Sequence, residues 1–261
     1  MSDSMQRFVA NGDVRLCCEV RGSGASHVLF VHGWISSRRM WYDVADRLDL
    51  RRFTLHLLDF RGCGLSDRPL DGHDLEGYTS DLRAALASID APVTLVGHSM
   101  GGKLAQLVAA ERPENLARLI LVAPGTARAS RFPAKHREMT LAAYGSRERI
   151  ERFQRAAMVK EPTASSMRRL VEDALVAQYE HWIGWYDRGR GVDFSDRLSE
   201  IALPTLVVAG ASDPIAPSPR IKRDTADAIA GALFVLLRDV GHNLPVEQPD
   251  DIAEAVRRFS Q

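Results

Sequence analysis

The chain has 261 residues, 45% of them hydrophobic, and its 34 lysines and arginines are balanced by 34 aspartates and glutamates, a formal net charge of zero. That is enough length and apolar content for one large α/β domain with an insertion, and the even charge makes no case for nucleic acid or an anionic membrane as partner. Met1-Ser2-Asp3-Ser4-Met5 has no basic stretch leading into an apolar one, no segment is apolar enough to span a bilayer, and Cys17, Cys18 and Cys63 lack metal-ligand spacing, so a cytoplasmic protein with inert thiols is expected.

In chain order, Arg7–Ala10 and Val14–Val20 flank Asn11-Gly12-Asp13, a turn signal that predicts a β-hairpin. His27–Val31 follows as a short buried strand ending at His32-Gly33-Trp34, and Met40–Leu50 has helical spacing. A strand over Phe53–Leu58 runs into Asp59-Phe60-Arg61-Gly62-Cys63-Gly64-Leu65-Ser66. Leu75, Tyr78, Leu82, Leu86 and Ile89 then lie on one face of a predicted helix. Apolar strands are predicted at Val93–Val96 and Leu116–Val122, with a helix over Lys103–Glu111 between them. From about 125 to 200 the alternation stops and helix formers dominate. It resumes with a strand at 204–210, a helix over Ser218–Ala230, a strand at Leu233–Leu237 and a last helix over Pro249–Phe259. Strands alternating with helices predict a three-layer, doubly wound, mostly parallel sheet covered on both faces. The expected division is a core of residues 1–124 and 200–261 and a helical cap over 125–199.

Gly97-His98-Ser99-Met100-Gly101-Gly102 stands directly after one of these strands and opens a helix. Such a strand–turn–helix serine sits in strained backbone and needs small residues two positions to either side, here Gly97 and Gly101. A serine hydroxyl requires a base, and the base an orienting acid. In this arrangement the chain order is serine, acid, histidine. Asp213 and His242 supply that order, each just past the end of a predicted strand, where groups in open α/β sheets converge. No acid stands at Ala123-Pro124-Gly125, the other position for it. An acyl-transfer oxyanion needs two N–H donors, and these are assigned to the backbone of Met100 and of Trp34. His32 and His98 are read as loop-bracing rather than catalytic.

Taken together, His32-Gly33-Trp34, the Asp59-to-Ser66 run, the Ser99 turn, Asp213 and Gly241-His242 resemble the α/β-hydrolase-fold serine hydrolases, small carboxylesterases in particular. The resemblance implies an eight-stranded sheet with antiparallel first strands, a helical lid after the sixth strand, and a Ser99–His242–Asp213 triad working without metal or organic cofactor on a small, fairly apolar ester. Lactonase, thioesterase, perhydrolase and carbon–carbon hydrolase activities use the same triad and stay open, as does a single-turnover small-molecule sensor. Ser99 stands where epoxide hydrolases and haloalkane dehalogenases carry aspartate, and His98 where carbon–carbon hydrolases commonly carry asparagine. The segment expected to form the cap carries Phe132, Phe153, Met158, Trp182, Trp185 and Tyr186, which either line a substrate pocket or pack the cap onto the core. Asp187-Arg188-Gly189-Arg190 reads as a solvated polar loop, with an arginine holding a substrate carboxylate as the alternative.

Overall fold

The computed structural model describes residues 4–130 and 134–260. Strands β1 (Ser4–Asn11) and β2 (Val14–Arg21) form the hairpin, closed at Gly12 with φ +58°. They are followed by β3 (Ser26–Val31), β4 (Phe53–Leu58), β5 (Val93–His98), β6 (Leu116–Val122), β7 (Thr205–Gly210) and β8 (Leu233–Leu237). One eight-stranded sheet results, in the order β1-β2-β4-β3-β5-β6-β7-β8, with the β1–β2 and β2–β4 pairings antiparallel and the rest parallel.

Because side chains alternate across a strand, each central strand feeds two cores. Leu29, Val31, Leu119, Leu121 and Val207 face a layer containing α2 (Leu75–Ala87) and α3 (Met100–Ala110). Val28, Phe30, Ile120, Val122 and Val208 face Trp41, Val44 and the helix Pro249–Phe259. Burial on both faces explains why these strands read as unbroken apolar runs.

The predicted helix over Met40–Leu50 is shorter than its spacing suggests. A 3₁₀ turn, Arg38–Trp41, leads into a single α-helical turn, Tyr42–Ala45. The Arg47 and Leu48 N–H groups then close tighter bonds to Val44 and Ala45, and the Leu50 carbonyl turns outward to accept from Ser23. The helix predicted over Ser218–Ala230 likewise contracts to Ser218–Ile221 and a wider turn, Lys222–Ala226.

Among the described residues between β6 and β7 lie four α-helices, Ala134–Leu141, Arg147–Ala156, Ala164–Val176 and Tyr179–Gly184, the last continuing as a π turn through Gly189, and a 3₁₀ helix, Ser195–Glu200. They have their own apolar cluster of Ile150, Met167, Val171, Ala174 and Trp182, which also takes in Ile35 from the loop after β3. Trp34 packs against the same cluster. The helical segment therefore shares its core with the sheet loop that carries one of the assigned oxyanion donors.

Candidate active site

The parallel strands deliver their following loops to one edge of the sheet. Ser99, between β5 and α3, has φ +50° and ψ −112°, a conformation that costs an L-residue about 1–3 kcal/mol and persists only when its surroundings enforce it. The surroundings do so through main-chain bonds: Ser99 N–H donates to Val122 O, while Ser99 O accepts from Lys103 and Gly125. They also leave no room beside the turn. A Cβ on Gly97 would lie 2.7 Å from Gly101 O, and one on Gly101 would lie 2.6 Å from His32 O.

Ser99 Oγ lies 2.9 Å from His242 Nε2, and His242 Nδ1 lies 2.7 Å from Asp213 Oδ2. The other Asp213 oxygen accepts from Ile215 and Ala216 N–H, both at 2.8 Å, which fixes the carboxylate's orientation. With Nδ1–H committed to a carboxylate, Nε2 is the acceptor for the serine proton. This array can shuttle a proton from the hydroxyl as a bond forms at Oγ.

Two neighbouring histidines are held neutral and take other work. His32 donates from Nδ1 to Gly33 O and accepts Phe60 N–H at Nε2, and burial pushes it down to about 4. His98 donates from Nε2 to the His242 carbonyl, and burial together with the adjacent His242 pushes it down to about 3. Both brace loops, one beneath Gly33 and one beneath the candidate base.

The loop carrying His242 is clamped by a residue that the sequence reading did not single out. Glu247 accepts from Gly241 and Asn243 on either side of His242, and from Val159 and Lys160 of the helical segment. His242 N–H itself donates to Ala157 O at 2.7 Å. A second unforeseen group is His181. Its Nε2 accepts from Ile35 N–H at 3.2 Å, so its Nδ1–H donates to Tyr78 Oη at 2.7 Å. Tyr78 in turn donates to His73 Nδ1, whose Nε2–H bonds Pro69 O. The donor directions close consistently only with both rings neutral, and burial holds His181 well below the usual histidine range. Ile35 has φ +50°, rare for a β-branched residue. No local sequence signal marks His181, whose partners Ile35 and Tyr78 lie far away in the chain, and none marks the reach of Glu247 to Val159 and Lys160.

The Asp59-to-Ser66 run after β4 is scaffold. Asp59 accepts from Arg38 and Leu65 N–H and pairs with the Arg38 guanidinium, Arg61 forms a two-bond pair with Asp81, and Ser66 bridges Asp59 O and Cys17 N–H.

Above Ser99 opens a cavity lined by Gly33, Trp34, Met100, Phe153, Trp185 and Tyr186, among others. Met158 and Trp182 are not among its lining residues. Trp182 sits behind Trp34, with ring centroids 5.2 Å apart, and Met158 packs against Met40, Leu170 and Val246. Phe132 lies outside the described residues. Arg190, read as part of a solvated loop, is buried against the cavity and donates to Ser130 O.

The model of the Alpha/beta hydrolase family matches residues 28–255, nearly the whole chain. This chain belongs to that family. The hydrolase is 26% identical over 251 residues to the AB hydrolase superfamily protein YisY of Bacillus subtilis, covering 89% of this chain and 91% of that one. It is 29% identical over 282 residues to a pimeloyl-[acyl-carrier protein] methyl ester esterase of Aeromonas salmonicida, covering 99% of each. Among solved structures, an esterase from Exiguobacterium antarcticum superposes with a TM-score of 0.89 at 23% identity, over 98% of this hydrolase and 99% of that chain. A bromoperoxidase from Bacillus anthracis superposes with 0.88 at 21% identity, over 98% and 99%. These structural likenesses concern the fold.

Proposed function

We propose that this hydrolase is a serine esterase that cleaves a small, fairly apolar carboxylic ester through an acyl-enzyme. The observation that carries the reading is the continuous Ser99–His242–Asp213 array, at 2.9 and 2.7 Å, on the floor of a cavity walled by Trp34, Phe153 and Trp185. His242 takes the Ser99 proton as Oγ attacks the ester carbonyl, and Asp213 stabilises the imidazolium that forms. The oxyanion is received by the N–H groups of Trp34 and Met100, two residues that line the cavity with the nucleophile. His242 then protonates the leaving alkoxide and later activates the water that releases the acid.

Residues 125–199 act as a lid in this reading, one that positions as well as covers. They hold the base loop through Ala157 and Glu247, and the Trp34 loop through His181. Curated relatives named as methyl ester esterases support ester hydrolysis over the other chemistries open to the triad. A relative named non-heme chloroperoxidase, from Streptomyces lividans at 25% identity, makes perhydrolysis the side activity to assay first.

A fluorophosphonate probe tests the nucleophile: it labels the native protein, and Ser99→Ala abolishes labelling. Full labelling of the alanine variant refutes the assignment. With p-nitrophenyl butanoate, p-nitrophenol is released over many turnovers; release that halts at about one equivalent identifies a single-turnover sensor instead.

A further inference from the structure

Lys103 is a buried cation for which the triad has no use. It lies on α3 one helical turn beyond Ser99, is 2% exposed and lines the cavity. Its main-chain N–H donates to Ser99 O at 3.0 Å. Its ammonium donates to three main-chain carbonyls, Arg128 O and Arg190 O at 3.2 Å and Val192 O at 2.7 Å, and lies 5.4 Å from the centre of the Phe194 ring.

Those carbonyls belong to the two stretches by which the helical segment leaves and rejoins the core. The stretches are also bonded to each other. Ser130 N–H donates to Arg190 O and Phe194 N–H to Ala127 O, both at 3.1 Å, and Ala129 N–H donates to Asp193 Oδ2 at 3.0 Å. Together they form a neck, and Lys103 fastens it from the nucleophile helix. An ammonium carries three N–H donors, which matches the three carbonyls here. Burying a cation is costly unless it is fully hydrogen-bonded. An apolar side chain of similar length would fill the same space without that cost, so packing alone does not account for a lysine at this position.

We propose that Lys103 is a positioning residue whose ammonium clasps both ends of the lid to the nucleophile helix, and so sets the part of the cavity wall formed by Ser130, Tyr186 and Arg190. The inference rests on the reading of residues 125–199 as a lid over an esterase site. Loss of one proton leaves two N–H donors for three carbonyls and loosens the clasp. Burial, reinforced by Arg190 and Arg220 and opposed by Asp193, pushes Lys103 down to about 8, so loosening falls in the mildly alkaline range.

Hydrogen–deuterium exchange tests the clasp without any turnover. In Lys103→Met, peptides covering 126–130 and 190–194 exchange at least about tenfold faster than in the native protein, while α3 keeps its native rates. Unchanged exchange in both stretches overturns the clasp, and so does faster exchange along α3, which would make Lys103 a packing residue of that helix. With p-nitrophenyl butanoate the same variant raises KM at least about fivefold and leaves kcat within about threefold; an unmoved KM overturns the link to the cavity wall. The native enzyme gives a check that needs no substitution: its KM rises from about pH 7 to about pH 9.5 as Lys103 loses its proton, and a flat KM refutes the clasp. An exchange difference without turnover of any ester removes the esterase reading and keeps the clasp; turnover with unchanged exchange does the reverse.

Discussion

Replacing His181 by leucine separates a positioning role from simple packing. The substitution leaves the Ile35 N–H, donated across 3.2 Å to His181 Nε2, without its acceptor at a site where Ile35 is 2% exposed. It also takes from Tyr78 the donor on its hydroxyl. An orphaned buried N–H costs about 1–3 kcal/mol. The strained Ile35 backbone, at φ +50°, holds a further 1–3 kcal/mol or so that a freed loop can release by relaxing. Relaxation limits the stability loss to about 2 kcal/mol, a fall in Tm of roughly 4–8 °C for a chain of this size. The same relaxation swings the adjoining Trp34 N–H away from the oxyanion. Complete loss of such a donor costs about 10²–10³ in rate, so a displaced one lowers kcat by about 10–100-fold while KM changes little. His181→Gln places an amide oxygen near the Nε2 position and recovers most of kcat. The assay is steady-state hydrolysis of p-nitrophenyl butanoate alongside thermal unfolding. If His181→Leu lowers Tm but leaves kcat within twofold of the native value, His181 only packs, and the link from the helical segment to the oxyanion loop is wrong.

Three further outcomes are expected. Stability falls as pH drops below about 6.5: burial pushes His32 down to about 4 and His56 and His98 to about 3, so the unfolded chain takes up protons that the folded one refuses. Each histidine removes about 1.4 kcal/mol per pH unit, so by pH 5 the three cost about 6 kcal/mol, comparable to the whole stability of many domains; urea midpoints that stay flat from pH 7 to 5 refute this. Glu247→Gln sets an amide N–H₂ against at least one of the four N–H groups that its carboxylate accepts, and is expected to cost about 3 kcal/mol and to lower kcat more than tenfold, read by thermal melts and by kinetics. Gly101→Ala drives a Cβ to within 2.6 Å of His32 O; overpacking of about 1–3 kcal/mol is expected to distort the turn and slow fluorophosphonate labelling of Ser99, and an unchanged labelling rate contradicts the steric argument.

The central strands were readable because burial on both faces imposes unbroken apolar runs, and Phe53–Leu58 and Leu116–Val122 fall where those runs predict them; the edge strand Leu233–Leu237 falls where predicted although it is largely exposed. The short helices were not, since Met40–Leu50 has helical spacing but is stopped by tertiary bonds such as Ser23 N–H to Leu50 O. Asp213 and His242 were legible as candidates from strand-end position alone, and the sheet register brings both to Ser99.

By itself the sequence determined the sheet, its strand–turn–helix serine and the order of chemical groups along one edge, because these depend on local periodicity and on residues with special backbone freedom such as Gly97 and Gly101. Only the tertiary structure decided what surrounds them. Arg190 changed from a solvated loop residue to a buried cavity wall, Trp182 became a prop behind Trp34, and His181 and Glu247 emerged as the groups that hold the loops carrying Trp34 and His242. Apart from the short-range bonds of Glu247 to Gly241 and Asn243, these roles are contacts between segments far apart in the chain, and the direction of a side chain across such a contact leaves no trace in local spacing.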